Sequence, residues 1–160
     1  MPDNPRLARA WGAMAWAVLI HVLDEAWNNF LVVYNPAAIA LTGRYPWLPL
    51  PVFQFEYWLG GLLLAVIGLF LLKRQARRAT TPIVIAAYIL AAAMAVNAVW
   101  HTALTIAGHT PTGMEFTRPM PGFWSSPLLL AASIWLWREA RRAGSARSTQ
   151  LRPAGVPDHP

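Results

Sequence analysis

The chain contains no cysteine, which excludes disulfides, thiolate metal sites and a cysteine nucleophile. Charge is scarce too: 12% of residues are Asp, Glu, Lys or Arg, against 56% that are hydrophobic. A soluble domain carries about a quarter charged residues. So few charges cannot cover this much Leu, Ala, Val and Trp in water, and the composition indicates an integral membrane protein. Acids are the rarer sign, with seven Asp and Glu against thirteen Lys and Arg. A serine-nucleophile motif, a glycine-rich phosphate loop and a covalent haem site are absent as well. A length of 160 residues suits one domain.

The formal charge of +6 raises the question of a nucleic-acid partner, but the placement of the basic residues argues against one. They cluster beside the apolar runs: Arg6 and Arg9, then Lys73, Arg74, Arg77 and Arg78, then Arg138, Arg141 and Arg142, with Arg147 and Arg152 in the tail. Only Arg44 and Arg118 lie elsewhere. This is the positive-inside pattern, and it also favours anionic membrane lipids. It predicts an all-α, four-helix transmembrane bundle with both termini cytoplasmic. The helices are expected over about 11–34, 53–72, 82–108 and 123–142, followed by a disordered tail over 143–160. Trp11–Ile20 is followed by HVLDE rather than by small residues, so the first helix reads as uncleaved. The loop NPAAIALTGRYPWLPLP reads as an ordered outer connection from its Pro and Gly density. In the fourth segment, Ser125-Ser126-Pro127 looks like a helix start. From Pro127 to Arg142 that helix is only about 24 Å long.

Polar residues inside the apolar runs carry the functional signal. The stretch HVLDEAWNN, residues 21–29, holds His21, Asp24, Glu25, Asn28 and Asn29. Of these, His21, Asp24, Glu25 and Asn28 recur at three and four residues and share one helix face. Asn97 and His101 do the same on the third expected helix, and Glu56 comes early in the second. Measured from the cytoplasmic ends, His21 and Glu25 lie roughly 15 and 21 Å deep, and Glu56, Asn97 and His101 roughly 22–28 Å. All fall between mid-membrane and the outer interface, while the inner halves are nearly pure hydrocarbon. Charged groups in hydrocarbon cost several kcal/mol unless paired or wet, so they turn inward. The expectation is a polar cavity open to the outer side. Trp27 and Trp100, which neighbour these groups, are candidate walls together with Asn28, although belt or packing roles also suit the tryptophans. Glu56 equally suits a wetted interface, and Asn28 and Asn29 suit a helix leaving the membrane. Ser125 and Ser126 are accounted for as caps.

HVLDE, a later helix with a second histidine, and PMPG in an outer loop together resemble the HxxEE-motif family of small bacterial integral membrane proteins. That family is marked by His-x-x-Glu-Glu, one separate histidine and Tyr-x-Pro-Gly, and it has no assigned reaction. The resemblance implies that His21, Asp24 and Glu25 fill the first motif and His101 supplies the histidine. Pro119-Met120-Pro121-Gly122 fills the last. Asp24 stands for the first glutamate and keeps the carboxylate, whereas Pro119 replaces the tyrosine. The site chemistry is also similar in kind to the sterol isomerases of the emopamil-binding superfamily. There a histidine and a glutamate four residues apart, a further acid and an Asn-x-x-Trp pair parallel His21/Glu25, Glu56 and Asn97/Trp100. This is an analogy of chemistry only.

Three function classes follow. An acid/base enzyme would use Glu25 as principal acid or base, with His21, His101, Asp24 and Glu56 as partners and Asn97 orienting substrate. It would act on a lipophilic small molecule by isomerase- or cyclase-like steps. A metal enzyme would hold zinc or iron on His21, Glu25 and His101 and hydrolyse or oxidise a lipid. A non-catalytic transporter, sensor or binding protein would use the same cluster, with a homodimer supplying the room that short helices lack.

Overall fold

The computed structural model describes residues 3–150. Among them there are five helices: α1 (Pro5–Trp27), α2 (Phe30–Arg44), α3 (Phe55–Ala76), α4 (Thr81–Ala107) and α5 (Ser126–Gln150). The all-helical class stands, and the four-helix bundle does not. Three helices, α1, α3 and α4, are long and apolar enough to cross a membrane.

The correction has two physical sources. The expected first helix over 11–34 is broken at Asn28-Asn29. Asn28 folds its side chain back onto Asp24, and Asn29 takes a left-handed backbone with φ 56°. Asn tolerates that conformation better than most residues. The chain then restarts as α2 through a segment expected to be loop beyond Tyr34. Alanine-rich AAIAL is strongly helix-forming, and Pro36 removes only one interior donor. The Asn35 side chain anchors α2 by accepting from Phe53 N–H and donating to Phe53 O. The second source is α5. Its apolar stretch ends at Trp137 and gives way to Arg138, Glu139, Arg141 and Arg142, so it falls short of a span by composition. It continues as helix through Gln150. Of the tail expected over 143–160, residues 151–160 lie outside the described residues.

The packing is a row rather than a closed ring: α3 against α1, α1 against α5, and α5 against α4, while α3 and α4 scarcely meet. α1 is therefore central. Asn4 caps it by accepting from Leu7 N–H, with Pro5 in its first turn. Leu7, Ala8, Ala10, Trp11, Met14 and Ala17 pack with Leu129, Leu136 and Ala140 of α5 and Ala87 and Ala91 of α4. Trp11 donates its indole N–H to Leu69 O of α3 at 2.8 Å. In α5, buried Leu129, Ala132, Ser133, Leu136 and Ala140 form one stripe, as helix periodicity requires. Burial separates the spans by role. Within their most apolar windows, α1 is 56% buried, α4 22% and α3 11%. Leu64, Ile67 and Leu71 of α3, and Ile85, Ile89, Val96 and Ile106 of α4, are exposed. Continuous apolar surface of this kind suits lipid.

Candidate functional site

At the end of α1 opposite the basic clusters, three buried polar side chains converge. His21 and Glu25 stand one turn apart on α1, and His101 reaches in from α4; they are 2%, 6% and 1% exposed. Glu25 Oε1 lies 3.1 Å from His101 Nε2 and 3.6 Å from His21 Nε2. The two imidazoles meet edge to face with centroids 4.9 Å apart. One ligand-type atom from each residue falls within 4.8 Å of the others, so the three form a possible metal-holding group.

A second layer fixes His21. Ser125, at the start of α5, donates to Asp24 Oδ2 through its backbone N–H at 2.9 Å and its hydroxyl at 2.7 Å. That hydroxyl has one hydrogen, with Asp24 Oδ2 and, at 3.1 Å, the Gly122 carbonyl as its acceptors. The same oxygen lies 2.8 Å from His21 Nδ1, an arrangement that suits a His21 proton on Nδ1. Nε2 in that tautomer accepts from the Asn97 amide at 3.0 Å, with Glu25 Oε1 3.6 Å away. This is the arrangement by which outer groups hold a ligating histidine in one tautomer.

The loop before α5 closes the cluster. Gly122 has φ +88°, and a Cβ there would lie 2.8 Å from His101 Cε1 and 2.9 Å from His21 Cε1. Only glycine accommodates both the backbone and the two rings at this position. Its carbonyl accepts from Ser126 Oγ at 2.8 Å. Nδ1 of His101, beside the same glycine, is the buried side-chain polar atom without a partner among the described residues. Thr105 extends the seat by accepting from Met120 N–H.

The expected residues divide clearly. His21, Glu25 and His101 come together, with Asp24 and Asn97 each one hydrogen bond away from His21 or its partner Ser125. Glu56 does not join them: it is exposed in the first turn of α3. Trp27 is 87% exposed and does not line the cavity beside Asn97 and His101. Asn28 lines an open groove with Arg118 and Glu115. Trp100 does line a cavity, of about 290 Å³, which opens between α2 and α4 and is also lined by Asn97 and His101. Phe30 of α2 covers the outer side of His101, with ring centroids 5.8 Å apart. Tyr34, one turn further on, has its phenol pKa pushed up by burial. Ser125 and Gly122 are the site residues that sequence reading left among caps and motif letters. The signal available for Ser125 was its place directly after PMPG.

No family model, curated protein or solved structure matches the chain.

Proposed function

We propose that the chain is a membrane-embedded metal-dependent enzyme in which His21 Nε2, Glu25 and His101 Nε2 hold a divalent cation, zinc or iron, and which acts on a lipophilic substrate. The observation that carries this reading is the convergence of three buried donors: one ligand-type atom each from His21, Glu25 and His101 lies within 4.8 Å of the others. Two imidazoles and a carboxylate are a donor set that suits a divalent cation. Metal–ligand bonds of about 2.0–2.2 Å place the ligand atoms of a tetrahedral site roughly 3.3–3.6 Å apart. The two contacts to Glu25, at 3.1 and 3.6 Å, lie close to that range, and all three ligand atoms fall within 4.8 Å of one another.

Two imidazoles and one carboxylate leave a coordination position open, as catalytic sites require. Bound there, a metal supplies Lewis acidity toward an oxygen of substrate or water. Asp24 and Ser125 orient His21, Gly122 admits both rings, and the Asn97 amide, beside His21 Nε2, would be placed to hydrogen-bond an oxygen of substrate or water. The site lies in spans whose surfaces suit lipid, which supports a lipophilic substrate.

A metal-free acid/base site is the second reading, favoured by the 3.1 Å contact between His101 Nε2 and Glu25, which is also a hydrogen-bond distance. Elemental analysis of purified protein beside His21→Ala and His101→Ala separates the two. Stoichiometric zinc or iron in the wild type, lost in both variants, is expected. Wild type that takes up no divalent cation on reconstitution contradicts the metal centre and leaves acid/base chemistry.

A further inference from the structure

Two helix faces look at each other across the cavity beside the site. On α2, Phe30, Val33, Tyr34, Ala37, Ala38 and Leu41 line it; their spacing of three and four residues makes one continuous stripe. On α4, the facing stripe is Asn97, Trp100, His101 and Leu104. Around the cavity Val33 packs with Leu104 and Phe30 lies against His101. α2 is held further by the turn at Asn29, by Asn35 within the helix and by Thr42 near its end, the last two bonding the segment that leads into α3.

The lining is polarised. Asn97 and His101, both tied directly into the His/Glu cluster, give the α4 wall a polar end. Toward Leu41, Leu50 and Pro111 the lining is mostly apolar, and the hydroxyl of Thr110 there is already bonded to Thr112 and Met114 N–H. No Lys or Arg lines the cavity, and Glu25 stands directly behind His101. An anionic head would therefore meet no cation from these side chains and one carboxylate, whereas a neutral oxygen finds hydrogen-bonding groups.

Dimensions limit the rest. A volume of about 290 Å³ is at the small end of ligand cavities, roughly 300–1,000 Å³, and suits a single chain rather than fused rings. The α4 stripe is about 10 Å long and the α2 stripe about 16 Å at 1.5 Å per residue. An extended chain advances about 1.25 Å per carbon with bonds of about 1.5 Å, so these lengths correspond to about eight to thirteen carbons.

We infer that this cavity binds a single-chain amphiphile of about eight to thirteen carbons with an uncharged oxygen headgroup, the head at Asn97 and His101 and the tail toward Leu41. This rests on the proposed function in taking the His/Glu cluster as the reacting centre, and it narrows the lipophilic substrate to a medium-chain alcohol, aldehyde or ester.

The test uses the full chain in lipid nanodiscs. 1-Decanol, 1-hexadecanol, decanoate and decane are supplied at equal membrane mole fractions, and bound molecules are counted by native mass spectrometry with metal content read on the same sample. Decanol bound one to one, at least tenfold over each of the others, is the expected result. Ala37→Phe, which projects a ring from the middle of the α2 stripe, lowers decanol binding at least tenfold with metal content unchanged. Leu41→Ala opens the tail end and raises hexadecanol binding several-fold relative to decanol. Equal binding of decane and decanol, or no preference for chain length, overturns the inference. So does folded Ala37→Phe that binds decanol normally. If Ala37→Phe fails to fold, Leu41→Ala decides, and an unshifted length preference overturns it. Metal without decanol selectivity removes this inference and leaves the metal centre; decanol selectivity without metal does the reverse.

Discussion

The two ends of α1 are built on opposite rules. Toward the basic clusters, Leu7, Ala8, Trp11 and Met14 interlock with α5 and with the α3–α4 turn, and the polar contacts there run to backbone carbonyls, from the Trp11 indole to Leu69 and from Asn4 N–H to Arg77. Two to three turns on, the same helix presents His21 and Glu25, and contact with α4 passes through an imidazole and a carboxylate. The first end holds the row of helices together by volume. The second is held by hydrogen bonds that specify atoms: Asp24 to Ser125, Ser125 to His21, Asn97 to His21. In hydrocarbon, where lipid is as apolar as leucine, packing alone can join helices. A buried network of defined tautomer has a different use, because it costs desolvation wherever a member goes unpaired. Its presence at one end only is what supports placing the proposed metal centre there.

Substitutions that strike one end and spare the other test this division. Trp11→Ala is expected to have the largest effect on stability, about 3 kcal/mol or more from the lost volume. Unfolding in mild detergent measures it, and the protein that remains folded should keep its full metal content. Gly122→Ala comes next. Strain at φ +88° costs about 1–3 kcal/mol, and the added methyl displaces both rings, so metal stoichiometry should collapse together with a modest loss in thermal stability. Normal metal content in that variant would separate the loop from the site. Ser125→Ala leaves the packing intact but frees the tautomer of His21. Loss of such an outer partner typically weakens metal binding about 10–100-fold, and competition with a chelator reads it. Ser125→Thr, which keeps a hydroxyl, should recover part of the affinity. Glu56→Gln is expected to do least, within about 0.5 kcal/mol in stability and with no change in metal affinity, because Glu56 is exposed on α3.

Much of the site was legible because helix periodicity is a strong rule. His21 and Glu25 four apart, and Asn97 and His101 four apart, fix which residues share a face before any fold is known. The depth of each within its apolar run brought them to one level. Glu56 met the same depth criterion and failed, since depth does not say which way an early residue on a helix faces. The break at Asn28-Asn29 was less visible. The asparagines suited a helix end, but neither Pro36 nor the Gly and Pro residues after it announced that α2 would form in the connection. What holds α2 is the bond from Asn35 to Phe53, eighteen residues away, and no local pattern reports a contact of that kind. Ser125 was legible as a helix-start residue. Its second task, joining Asp24 to His21 across 101 and 104 residues, is tertiary and depends on α5 lying beside α1.

The most direct test of the central claim is X-ray absorption at the zinc or iron edge on the wild-type protein in a lipid bilayer. Two imidazole nitrogens and a carboxylate oxygen at about 2.0–2.2 Å are the predicted result. A shell without imidazole scattering would contradict it.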